Sequence, residues 1–183
     1  MKHISILVPK GAILGSLEGS RQLLTQVNQF FRMKGKDPIF NVQLVGVSHE
    51  TKLCGGLFTA NPDVLITDVK KTDLIIIPAV DGDLNQAIEN NKEFLPWIVK
   101  QYNSGAEVAS LCLGAFLLAS TGLLDGKRCA THWMAENTFR KMFPEVTLVT
   151  EKVITDEHGL YSSGGAFSYL NRILFLIEKG AGR

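Results

Sequence analysis

The sequence predicts an α/β protein built on a doubly wound, mostly parallel sheet with helices on both faces. Three observations lead there. Strand-like and helix-like stretches alternate along the chain. The runs Ile4 to Val8 and Leu74-Ile75-Ile76-Ile77 are apolar with almost no alternation, the pattern of strands covered on both faces. A β-prone stretch, Val108 to Leu111, also runs straight into Cys112 and then into a helix of small and apolar residues.

The elements follow in order. Ile4 to Val8 is a β-branched strand stopped by Pro9. Leu14 to Lys34 has helical spacing, with Leu17, Leu23, Leu24, Val27, Phe30 and Phe31 apolar, and ends near Gly35. Phe40 to Val47 reads as a strand. Lys52 to Asp63, broken by Gly55-Gly56 and Pro62, reads as hairpin or loop. Asp73 to Pro78 is a buried strand. Asp81-Gly82-Asp83 caps a helix to about Asn90, and a second helix covers Glu93 to Ser104. After the Cys112 helix, Gly122 to Gly126 is a turn, Lys127 to Thr131 a strand, and Trp133 to Phe143 a helix stopped by Pro144. Val146 to Val149, Val153 to Thr155 and Leu160 to Ser163 are short strands, and Gly164-Gly165 opens a last apolar helix through Ile177.

A length of 183 residues suits one domain, spanning 1–183. With 45% hydrophobic and 20% charged residues the class is globular. The net charge of +1 leaves no electrostatic footprint for nucleic acid, and the densest basic cluster is Lys70-Lys71. The three cysteines have no CxxC spacing, and Met1-Lys2-His3 leads directly into a strand with no signal peptide. Both features point to a reducing cytoplasm. No apolar run has the roughly 20 residues of a membrane span. No two histidines have ligand spacing, so no metal site is expected, and no cofactor is expected either.

Cys112 is the leading candidate residue. Ser110 and Gly114, two before and two after it, are small, as a nucleophile elbow between strand and helix requires. At a helix head, unpaired N–H groups and the dipole favour a thiolate, so Cys112 is expected to alkylate before Cys54 and Cys129. A buried structural cysteine is the competing reading. His132, in Thr131-His132-Trp133, is a candidate base or orienting partner, against a histidine that ends a strand and bonds backbone. Glu18 is expected to face away from the buried side of its helix. Asp81 and Asp83 read as helix caps, Cys54 and Cys129 as packing residues, and Gly164-Gly165 as a tight turn. In a parallel sheet, ligands sit at the carboxyl ends of the strands. The loops Pro9 to Ser16, after Pro78, after Leu111, and Ser162 to Gly165 all belong there. The ligand pocket is therefore expected beside Cys112, with Ser163, Gly164 and Trp133 among its lining.

SLCLGAFLLASTGLLDGKRCATHW resembles the elbow segment of the ThiJ/PfpI superfamily, which has a class I glutamine amidotransferase-like, flavodoxin-like fold. Together with VPKGAILGSLEGSRQLLTQVN, LIIIPAV and GLYSSGGAFSYLNRILFLIEK, it is most similar to the amino-terminal domain of AraC-type transcription regulators. The resemblance implies a carboxylate on the first helix, where this chain has Ser16. It implies an aspartate on the final helix, where Asn171 stands. The usual Pro-Gly-Gly after the third strand is Pro78-Ala79-Val80. Cys112 and His132 match. Backbone N–H groups of Val80 and Leu113 would form an anion-binding hole.

The resemblance also implies further helix and a helix-turn-helix domain beyond Gly180, so the chain is expected to be a piece cut from a longer regulator, the alternative being a stand-alone domain with Gly180 as a plain helix stop. The expected function is a ligand-sensing and dimerisation domain. It would bind a small-molecule effector, form a homodimer, and reach DNA only through a domain absent here. The alternative is a cysteine-dependent hydrolase or isocyanide-hydratase-like enzyme using Cys112 with His132. Ser16 and Asn171 in place of acids favour the sensor.

Overall fold

Ile75 and Ile77 point to one face of a seven-stranded sheet, Leu74 and Ile76 to the other, and all four are buried. This is why the run carries no polar alternation. The computed structural model describes residues 1–149, 154–164 and 178.

The elements are β1 (Lys2–Leu7), α1 (Leu14–Met33), β2 (Phe40–Gly46), β3 (Thr51–Leu53), β4 (Phe58–Ala60), β5 (Val64–Leu65), β6 (Leu74–Ile77), α2 (Leu84–Asn90), α3 (Phe94–Asn103) and β7 (Glu107–Leu111). They continue with α4 (Ala115–Ala119), β8 (Arg128–Cys129), α5 (Glu136–Met142), β9 (Thr147–Leu148), β10 (Ile154–Glu157) and β11 (Leu160–Ser163). The main sheet has the order β10-β11-β7-β6-β1-β2-β5. Every neighbouring pair is parallel except β10 and β11. The chain starts at β1, winds out to β5, then returns across to β6, β7 and β11. The winding reverses beside β1, which is where doubly wound sheets place their ligands.

Each face has its own core. Leu24 of α1 packs with Ile4, Ile6, Ala109, Leu111 and Tyr161 on one side. On the other, Phe94 and Ile98 of α3, Phe116 and Leu117 of α4, and Phe139 of α5 cover Val108, Ile75 and Ile77. Asn28 fastens α1 to the sheet. Its amide donates to Phe40 O at 2.6 Å and accepts the Ile39 and Phe40 N–H groups at 3.1 and 3.0 Å. The β10–β11 hairpin turns on His158 and Gly159, both with positive φ (56° and 85°), as a two-residue hairpin loop favours.

Several expected elements differ. Lys127 to Thr131 forms only the two-residue β8, paired with β9 outside the main sheet. The rest is drawn off by side chains: Ala130 N–H donates to Ser162 Oγ and Thr131 Oγ1 donates to Cys112 O. The helix expected over Trp133 to Phe143 is a 3-10 turn, Trp133–Ala135, followed by α5. The segment Lys52 to Asp63 does contain the expected hairpin, the antiparallel β3–β4 pair. The short edge strand β5 has too few residues to show a period. Cys54 does not pack; it is exposed at the hairpin turn with φ 51°. Asp83 caps α2 by accepting Gln86 N–H at 2.8 Å, whereas the Asp81 N–H donates to Gly11 O. The last apolar helix, with Gly165 and Asn171, lies outside the described residues.

Candidate functional site

The loops after β1 and β6 are joined to each other. Ile13 N–H donates to Ala79 O at 2.8 Å and Asp81 N–H to Gly11 O at 2.9 Å, around an antiparallel bridge of Ala12 and Val80. The two bridge hydrogen bonds are made by these neighbours, so Val80's own amide takes no part in the bridge. Ser16, buried on the first turn of α1, accepts the Ala79 N–H at 2.9 Å and receives the Ser20 hydroxyl on its carbonyl at 2.7 Å. Glu18 is exposed and paired with Arg21 at 3.4 Å.

Cys112 follows β7 directly and begins a 3-10 turn, Cys112–Gly114, that leads into α4. Its φ is 52°, a left-handed conformation that a non-glycine residue holds only when its surroundings impose it. Those surroundings are explicit. A Cβ on Gly114 would lie 2.5 Å from Pro78 O and 2.8 Å from Ile77 O, so the turn presses against the end of β6. Ser110 is fully buried and turns its hydroxyl to Tyr161 O at 3.4 Å. Thr131 Oγ1 holds the Cys112 carbonyl at 3.1 Å. A Cβ on Gly164 would meet Thr131 O at 2.7 Å, which brings the end of β11 to the same place. Four loops thus converge at the carboxyl end of the sheet around one cysteine.

The electrostatics differ from the thiolate expected at a helix head. Cys112 is 8% exposed. Burial pushes its thiol up from the ordinary cysteine value, and the Leu113 backbone N–H draws it only part of the way back. The helical stretch behind it is short, with five residues in α4, so its dipole is small. Cys129 is fully buried, and burial pushes its thiol up to about 12 against a smaller lowering by the Ser162 hydroxyl. Cys54 is the exposed thiol, so exposure argues against the expected labelling order.

His132 caps the turn that follows it. Its Nδ1 accepts the Met134 N–H at 3.3 Å, and its ring stacks on Trp133 with centroids 5.7 Å apart. Among the described residues no hydrogen bond or ion pair joins His132 to Cys112 or to a carboxylate. Trp133 is 70% exposed. Ser163 pairs in register with Leu111, next to Cys112, and is fully buried, its hydroxyl without a hydrogen-bond partner among the described residues. Among the described residues no group of three or more His, Cys, Asp or Glu is placed to hold a metal ion. Two contributors had no local signal in the sequence: Thr131, which fixes the Cys112 carbonyl, and Ser162, which fixes Ala130. Both act through contacts between segments far apart in the chain.

The arrangement presents a neutral thiol on a strained backbone, a buried hydroxyl with no partner among the described residues, and nearby backbone amides. It suits holding a small polar group better than moving protons. A family model, described as the DJ-1/PfpI family, matches residues 29–178. The chain belongs to the DJ-1/PfpI family. It is similar to the HTH-type transcriptional regulator GbdR of Pseudomonas aeruginosa, 30% identical over 140 residues, which are 74% of this chain and 37% of the regulator. It is also similar to the isonitrile hydratase of Pseudomonas putida, 28% identical over 123 residues, 66% of this chain and 51% of that enzyme. The chain spans just over a third of the length of the regulator. The same DJ-1/PfpI fold is seen in the crystal structure of an AraC family transcriptional regulator from Pseudomonas putida. The TM-score is 0.79 at 14% identity, covering 100% of this chain and 94% of that one.

Proposed function

We propose that residues 1–183 form a single effector-sensing domain, the amino-terminal part of an AraC-type transcription regulator acting in the cytoplasm. A small molecule binds beside Cys112, and the domain pairs with a second copy. DNA is reached through a helix-turn-helix domain outside these residues. The observation that carries this reading is Ser16. Its hydroxyl is buried and committed to the Ala79 amide, at the position where the resemblance puts a catalytic acid. A general acid or base typically contributes about 10²–10⁴-fold in rate, and none is joined to Cys112 among the described residues. The similarity to a transcriptional regulator supports the same reading. The ligand contacts proposed are the Val80 and Leu113 amides, the Ser163 hydroxyl, Gly164 and Trp133. Cys112 and His132 are retained there as pocket residues.

The second reading is a cysteine-dependent hydratase, favoured by the likeness to isonitrile hydratase and by the left-handed Cys112 turn. One experiment separates the two. The protein and its Cys112→Ser variant are assayed for turnover of an alkyl isocyanide and screened by thermal shift against a metabolite library. The sensor reading expects negligible turnover and a ligand-induced rise in Tm that survives in Cys112→Ser. Efficient turnover abolished by Cys112→Ser establishes the enzyme instead.

A further inference from the structure

Lys70-Lys71, the densest basic pair in the sequence, has no part in the site at Cys112. It lies in the connection between β5 and β6. Because β2 and β1 stand between those strands in the sheet, this connection has to cross both. It does so as a short irregular segment on the side of α3, whose Gln101 receives the Thr72 N–H at 3.2 Å and donates to Val69 O at 3.3 Å. Such a segment fills less volume over the sheet than a helix of about 10 Å diameter would. The result is an open groove of about 490 Å³, within the usual size range of small-molecule sites.

The walls of the groove are fixed in advance. Thr72 Oγ1 donates to His3 O at 3.0 Å and receives the Ser5 hydroxyl at 3.0 Å. Asp73 clamps β1 at His3, accepting the His3 N–H on Oδ2 at 2.8 Å and donating its own N–H to His3 O at 2.9 Å. Val64 and Val69 supply apolar surface. The remaining lining is Gln43, Asp68, Lys70 and Lys71. Among the described residues none of the last three takes part in an ion pair. The groove therefore offers unpaired charges of both signs, beside a hydrogen-bonding amide, on a pinned frame.

We infer that this groove binds a small zwitterion, its carboxylate met by Lys70 and Lys71 and its ammonium by Asp68. A purely anionic ligand would leave Asp68 and the Asp73 carboxylate facing like charge, and a purely cationic one would face two lysines. The charges are solvent-screened, so the expected affinity is modest, with a dissociation constant on the order of 1 mM.

The test is a titration of the ¹⁵N-labelled chain with glycine, 4-aminobutyrate and 6-aminohexanoate, against hexanoate and hexylammonium as single-charge controls. At least one zwitterion is expected to shift the amides of His3, Gln43 and residues 68–73 saturably. It should bind at least about fivefold more tightly than either control. Lys70→Gln/Lys71→Gln and Asp68→Asn should each weaken it at least about fivefold with unchanged Tm, because all three side chains are exposed. Absence of a saturable shift with all three zwitterions overturns the inference. So does equal binding of hexanoate, or a response confined to the loops around Cys112. The groove and the Cys112 site share no residues, so either reading can fail without the other.

Discussion

The Ser16 hydroxyl accepts the Ala79 amide at 2.9 Å, a hydrogen bond across 63 residues of sequence. It ties the start of α1 to the loop after β6 and holds two walls of the candidate pocket at a fixed spacing. A side chain so used serves the frame of the pocket. Ser16→Ala leaves the Ala79 N–H buried without this partner, and an unsatisfied buried donor costs about 1–3 kcal/mol. The expected outcome is a loss of that size in urea unfolding with an unchanged m-value. A stability equal to that of the parent protein would show that the hydrogen bond is dispensable.

Cysteine labelling should follow exposure and thiolate fraction. Cys54 is exposed, Cys112 is buried with its thiol pushed up, and Cys129 is buried with its thiol pushed up to about 12. Under limiting iodoacetamide at neutral pH, Cys54 is expected to react at least about tenfold faster than Cys112, with Cys129 protected until the protein unfolds. Labelling at Cys112 should increase as pH rises. Peptide mapping by mass spectrometry checks the order, and Cys112 reacting first would mean an anion-stabilising environment that its burial does not provide.

Two glycines should respond in opposite directions to alanine. At Gly114 the added Cβ meets backbone carbonyl oxygens at 2.5 and 2.8 Å, which cannot rotate away. Gly114→Ala is expected to destabilise by about 1–3 kcal/mol, as overpacking does. At Gly15, inside α1, nothing lies within 4 Å of the added atom. Gly15→Ala is expected to stabilise by about 0.5–1 kcal/mol through helix propensity and reduced unfolded-state freedom. Thermal denaturation of the pair decides the matter, and shifts of the same sign would contradict the close approach at Gly114.

Alkaline stability should depend on Cys129. Its folded-state value, about 12, lies above that of an exposed cysteine, so the folded state holds its proton longer than the unfolded state does. Linkage then gives stability that is complete below the ordinary cysteine value and falls as pH rises from there toward about 12. Cys129→Ala, which has no thiol to ionise, should lose stability less steeply between pH 8.5 and 10.5, ranges set by the ordinary thiol value of about 8.5. Parallel denaturation curves for the two proteins across that range would rule out Cys129 as the source.

Local chemistry was enough for part of this structure. The unbroken apolar run at Leu74–Ile77 required a strand covered on both faces, and the spacing of Leu17 and Leu24 gave α1 its buried side. Small residues two positions either side of Cys112 marked a strand that turns at once into a helical segment. Such signals survive in sequence because each depends on the period of one element or on sterics within a few residues. The tertiary structure decided the rest. It drew Ala130 and Thr131 out of an expected strand onto Ser162 and Cys112, committed Ser16 to Ala79, exposed Cys54 and raised the Cys112 thiol. Each of these is a hydrogen bond between distant segments or a solvation effect summed over all neighbours, and neither has a spacing that a single chain can display.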